Sequence, residues 1–143
     1  MKTPALNVLL IEDSLDDADL VQEVLEQIDT VRLTIVWERN LADGLKRLTD
    51  GGIDVVLLDL SLPDSFSIQT LRKTLSQAPE IPVVVLTGLN DKDVAFEAVQ
   101  NGAQDYLVKG TVDAEILLRS MLHAVERKRT GTPSPDDSHA PHD

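Results

Sequence analysis

The sequence predicts an α/β fold, with one parallel sheet lying between two layers of helices. Three observations carry this expectation. Val8–Ile11, Val55–Leu58 and Val83–Leu86 are unbroken apolar runs, the pattern of strands covered on both faces. Each run is followed by a stretch whose apolar residues recur at helical spacing. The connections between successive runs are too long for hairpins, so the strands run parallel with right-handed crossovers.

In chain order, Asn7–Ile11 reads as the first buried strand, closing on Glu12 and Asp13. Ser14 is placed to cap a helix that has Asp16 and Asp17 in its first turn and Val21, Val24, Leu25 and Ile28 inward. Residues 31–37 mostly alternate, which predicts a half-exposed edge strand, with Trp37 packing on it. Asn40 caps a second helix carrying Leu41, Leu45 and Leu48 on one face, and Gly51-Gly52 ends it.

Val55–Leu58 is the central strand; it ends on Asp59, with Pro63 barring regular structure soon after. Ser65 or Ser67 then caps a helix with Ile68, Leu71 and Leu75 inward. Val83–Leu86 ends on Thr87-Gly88, and Asn90 or Asp91 caps a short helix through Val94, Ala95, Ala98 and Val99. The last strand, Asp105–Val108, ends on Lys109-Gly110, and a long final helix begins near Asp113. Residues 130–143 hold three of the seven prolines and almost no apolar side chains, so they are expected to form a disordered acidic tail behind a domain of residues 1–129. Ranking the strands by burial gives the sheet order 2-1-3-4-5, a flavodoxin-like (βα)5 three-layer sandwich with its switch point between strands one and three.

Composition narrows the function. Thirteen basic residues against 25 acidic give a net charge of −12, and removing the three Asp of the tail leaves −9, so direct nucleic-acid binding is not expected. The absence of cysteine excludes disulfides and thiolate metal sites. No apolar run is long enough to span a bilayer. Lys2 precedes an apolar stretch, but Glu12 and Asp13 end it without a small-residue cleavage site, so a cytoplasmic protein is expected.

Glu12, Asp13, Asp59, Thr87 and Lys109 all fall at carboxyl ends of strands and should meet over one edge of the sheet. Two carboxylates about 5 Å apart at an effective dielectric of about 20 repel by roughly 3 kcal/mol. Three carboxylates against one ammonium therefore call for a divalent cation, and all-oxygen ligands select a hard one, Mg²⁺ or Mn²⁺. A carboxylate beside such an ion, a lysine and a threonine hydroxyl is built to attack phosphorus, giving an aspartyl phosphate on Asp59. Taken singly, Asp59 reads as a strand-end turn residue; it is the company of the other four that turns it toward chemistry, and plain core packing stands as the alternative reading of Tyr106. His123 reads as a solvated helix residue, and His139 and His142 are too sparse for a metal site.

Four segments in order, Val8–Asp13, Leu57–Pro63, Val84–Gly88 and Gly102–Lys109, resemble a response-regulator receiver domain of two-component signalling over about residues 5–129. The resemblance implies Asp59 as phosphoacceptor and Glu12, Asp13 and Asp59 as metal ligands with the backbone carbonyl of Ser61. It implies Lys109 as partner of the phosphoryl group, and Thr87 with Tyr106 as a switch pair. It also implies a sensor histidine kinase or histidine phosphotransfer protein as donor, and no catalysis beyond the domain's own phosphorylation and dephosphorylation. The downstream target would be a protein recognised through the fourth helix, last strand and last helix, and a homodimer through that face is left open.

No second domain follows residue 129, so a stand-alone type is expected. The family pattern is broken at two places. Gly110 replaces a proline that usually follows the lysine with a cis peptide, and a cis bond without proline costs about 2.5–4 kcal/mol. Ser67 replaces a glycine. The resemblance also makes Ser61 and Leu89 neighbours of the phosphoryl site that tune hydrolysis.

Other functions fit less well. A haloacid-dehalogenase-type phosphatase needs a second acid two residues past the nucleophile, where this chain has Ser61. A flavodoxin-like nucleotide binder needs a phosphate loop where Glu12-Asp13 would repel phosphate. A receiver-like scaffold acting without phosphorylation stays open.

Overall fold

The structure, a computed structural model, describes residues 5–88 and 91–130, apart from the side chains of Phe66 and Thr130. Its elements in order are β1 (Ala5–Ile11), α1 (Leu15–Glu26), β2 (Arg32–Glu38), α2 (Leu41–Thr49), β3 (Val55–Asp59), β4 (Ser61–Leu62), β5 (Ser65–Phe66), α3 (Ile68–Gln77), β6 (Val83–Thr87), α4 (Lys92–Gln100), β7 (Asp105–Val108) and α5 (Ala114–Thr130). Five strands form a parallel sheet of order β2-β1-β3-β6-β7, the expected 2-1-3-4-5 once the two-residue hairpin β4-β5 is set apart. The tail expected to be disordered lies outside the described residues beyond Thr130, as do Leu89 and the alternative cap Asn90.

Successive strand side chains alternate between the two layers, because their period is two. Leu9, Ile11, Val56, Leu58, Val83 and Val85 face α2, α3 and α4 through Leu41, Leu48, Ile68, Leu71 and Ala98. Val8, Leu10, Val55, Leu57, Val84 and Leu86 face α1 and α5 through Val21, Leu25, Leu117 and Met121. β3 and β6 are buried along their whole length, while β2 is half exposed, as its alternation predicts for an edge.

The register brings the strand ends level. Asp59 lies opposite Leu86, Ile11 opposite Leu58 and Thr87 opposite Val108. The polar residues just past β1, within β3 and β6, and just past β7 thus converge at one rim.

Two of the expected caps form. Ser14 accepts from the Asp17 amide at 3.2 Å and Asn40 from the Asp43 amide at 2.8 Å. The cap of α3 differs from expectation. Ser67 occupies the cap position at φ 60°, ψ −141°, and its side chain makes no capping bond. A serine standing where the turn requires a positive φ has the backbone that a glycine would take without strain. Asp91 precedes α4, but its carboxylate accepts from the Gly88 amide at 3.3 Å and does not cap that helix.

Candidate functional site

Glu12 follows directly on β1, and its main chain is fixed on both sides. Its N–H donates to Glu38 O at 3.0 Å, and its carbonyl accepts from Trp37 Nε1 at 2.7 Å. The carboxylate is wholly buried, with Oε1 accepting from Lys109 Nζ at 2.9 Å and Oε2 from the Ser14 amide at 3.2 Å. Asp59, the last residue of β3, is also buried, and its Oδ1 accepts from the Ser61 amide at 3.2 Å. One carboxylate oxygen each from Glu12, Asp13 and Asp59 lies within 4.8 Å of the others, the one such trio among the described residues.

Lys109 enters from the far edge. Its amide donates to Thr87 O at 2.8 Å, so its main chain continues the ladder of β6 and β7. Its ammonium pairs with Glu12, and with Asp17 Oδ2 at 2.8 Å, while Asp59 Oδ2 stands at 3.8 Å. The peptide to Gly110 is trans, with Gly110 at φ 89°, and the lysine reaches the pocket from there. A cleft of about 90 Å³ opens beside Asp59, lined also by Ser61, Ser67, Thr87 and Asp91.

Burial dominates the electrostatics. It raises the Glu12 carboxyl to about 7, with the neighbouring Asp59 adding to the rise and Lys109 opposing it. Burial likewise raises Asp59 above the ordinary aspartate range, against the lowering by its contact with Glu12 and by the charge of Lys109. Burial works against the Lys109 ammonium too, but its bonds to Asp17 and Glu12 and the charge of Asp59 outweigh it and raise the group above the usual lysine range. Two neighbouring acids whose ionisation burial opposes form a site short of positive charge. All-oxygen donors of this kind suit Mg²⁺ or Mn²⁺.

The structure brings Glu12, Asp13, Asp59 and Lys109 together and sets Thr87 and Ser61 in the same cleft. The Thr87 hydroxyl is buried and donates to Leu107 O at 3.4 Å. Tyr106 is 38% exposed on β7, which removes the alternative of plain core packing: on this outer strand its side chain faces outward. Sequence reasoning missed three residues. Asp17, which reads as a helix-start acid, is a direct partner of Lys109. Trp37, which reads as edge packing, also holds Glu12. Asp64, between β4 and β5, accepts from the Leu41 and Ala42 amides at 2.8 and 2.9 Å and so ties the loop after Asp59 to the start of α2. The only signal for them was an acid or a donor placed close in sequence to a strand end.

Comparison with known proteins gives the same picture. The family model described as response regulator receiver domain matches residues 8–121, most of the chain. The chain is 31% identical over 126 residues to the swarming motility regulation protein RssB of Serratia marcescens, covering 88% of this chain and 55% of that protein. It is 34% identical over 128 residues to the transcriptional regulatory protein QseB of Haemophilus influenzae, with the same coverage. It thus spans just over half the length of these curated relatives. Among solved structures, a response regulator receiver domain protein from Clostridium thermocellum superposes with a TM-score of 0.75 at 28% identity, covering 87% of this chain and 98% of that one. With the matched segment carrying the acids, the threonine and the lysine at one rim of the sheet, the chain belongs to the response-regulator receiver-domain family.

Proposed function

We propose that this domain accepts a phosphoryl group on Asp59 from a phosphohistidine of a sensor kinase or phosphotransfer protein, and that the modified domain presents an altered face to a protein target. The single observation that carries this reading is the trio Glu12, Asp13 and Asp59 within 4.8 Å, closed on one side by the Lys109 ammonium. Receiver domains bind Mg²⁺ at an acidic pocket. The residues that would hold it here are Glu12, Asp13 and Asp59, with the Ser61 carbonyl as a fourth oxygen. Bound there, the ion would neutralise charge on the transferring oxygens.

The rest of the work falls to the chain. An Asp59 carboxylate oxygen attacks phosphorus, the P–N bond to the donor imidazole breaks as the P–O bond forms, and the imidazole keeps the electron pair and takes up a proton. Lys109 then bonds a phosphoryl oxygen. The Thr87 hydroxyl exchanges its long contact with Leu107 O for another, vacating space into which Tyr106 turns. The responding face is α4, β7 and α5, where Phe96, Tyr106 and Ile116 are exposed at 53%, 38% and 44%. Phosphorylation then shifts the population toward the form the target binds.

The test is incubation with Mg²⁺ and acetyl phosphate followed by intact mass. The expected result is a labile gain of about 80 Da on the wild type and none on Asp59→Asn. Labelling retained in the variant would place the acceptor elsewhere.

A further inference from the structure

Lys109 is held by more than the acceptor site requires. Its Nζ lies 2.8 Å from Asp17 and 2.9 Å from Glu12, both hydrogen bonds, whereas 3.8 Å to Asp59 is beyond hydrogen-bonding distance. Asp17 is available for this because of what happens one turn earlier. An acid at the third position of a helix that starts with serine ordinarily turns back to the amide of the capping residue. Here the Ser14 amide donates to Glu12, so the Asp17 carboxylate is left to reach across to the lysine.

The two partners are unequal. Glu12 is wholly buried, and losing its cation would leave a buried charge uncompensated, which is costly. The Asp17 side chain is 39% exposed, so water can take over when the ammonium leaves. A tetrahedral ammonium has three donors. Two of them are taken by Glu12 and Asp17; the third is free for a phosphoryl oxygen, but from 3.8 Å away the ammonium has to move toward Asp59 to use it, and the exposed contact with Asp17 is the one that lengthens.

We propose that Asp17 is a positioning residue that holds the Lys109 ammonium toward α1 and competes for it with a phosphoryl group on Asp59. The inference rests on Asp59 being the acceptor.

The test titrates beryllofluoride, a tetrahedral phosphoryl mimic, into the full chain at saturating Mg²⁺, with bound fluorine read by NMR. Asp17→Asn should bind about five- to thirtyfold more tightly than the wild type, the effect of removing one charge-assisted contact. Asp17→Glu should restore the wild-type affinity. Asp16→Asn, which removes the same charge from the same turn, should change affinity less than about twofold. Unchanged or weaker binding by Asp17→Asn, with normal binding by the wild type, overturns the inference. Wild-type binding that survives in Asp59→Asn, or no wild-type binding, overturns the acceptor reading instead.

A second measurement needs no metal. In urea unfolding with chelator present, Asp17→Asn should lower the midpoint in the Lys109 background and leave it nearly unchanged in Lys109→Met. Equal losses in both backgrounds would mean that Asp17 serves only its own helix.

Discussion

Trp37 Nε1 donates to the Glu12 carbonyl over 2.7 Å, so the one tryptophan of the chain is bonded to the main chain of a proposed metal ligand. The Arg39 guanidinium lies over the same indole at 5.6 Å from the ring centroid and bonds Asp13 O at 3.4 Å. The ring is therefore both a strut and a reporter. Addition of Mg²⁺ should change its emission saturably. Trp37→Phe, which keeps an aromatic side chain and deletes the donor, should raise the Mg²⁺ dissociation constant by about tenfold, as measured by calorimetry. An unchanged constant would show that the strut contributes nothing to the site.

Glu12 sets a pH dependence whose sign is fixed. Its carboxyl stands at about 7 in the folded chain against 4.5 for the free group, so between these values the folded state keeps a proton that the unfolded state has lost. Stability held below about pH 4.5 is then lost as pH rises through 7. The metal-free protein should show this decline in urea midpoints, and Glu12→Gln should abolish most of it. Mg²⁺ needs the ionised acid, so its affinity should rise across the same interval with release of protons, visible as buffer-dependent binding enthalpy. Metal-free stability that climbs from pH 5 to 7.5 in the wild type would contradict the assignment.

Ser67 stands at φ 60°, ψ −141°, with no capping bond from its side chain. Such a backbone costs about 1–3 kcal/mol in a residue with a side chain, and glycine gives back part of that through its greater freedom when unfolded. Ser67→Gly should stabilise the domain by about 1 kcal/mol in denaturant titration. A loss of stability would show that the hydroxyl has a role the backbone geometry does not reveal.

Asp64 accepts from the first two amides of α2. What burial it has raises its carboxyl, but these amide bonds outweigh that and hold it below the ordinary range. Its contribution is therefore present above the usual aspartate pKa and lost as pH falls through the lowered one. Asp64→Ala should cost about 1 kcal/mol at neutral pH, the worth of a helix cap, and Asp64→Asn less. Because the hairpin it anchors begins at Ser61, the same variant should also weaken Mg²⁺ binding.

The strands were legible in the sequence for a physical reason. A strand covered on both faces needs consecutive apolar residues, so Val55–Asp59 and Val83–Thr87 begin where those runs do and end one polar residue past them. The rim residues were legible because each sits where such a run stops. The pairing of Ser61–Leu62 with Ser65–Phe66 was not, since two residues carry no periodicity. Asp17 and Asp64 were not, because an acid near a helix start reads the same whether it caps its own helix, another helix, or a cation 92 residues away. The outward setting of Tyr106 is not fixed by its strand pattern, because β7 forms an edge of the sheet, where a side chain can leave the core without breaking the ladder.

Ninety-seven positions separate Glu12 from the lysine that neutralises it. A nascent polypeptide emerging from the ribosome displays its acids long before the counter-charge is made, and only the closing strand delivers it. Half-finished chains can collect a cation loosely, yet they cannot relay a signal. Competence arrives all at once, when the last strand of the sheet closes.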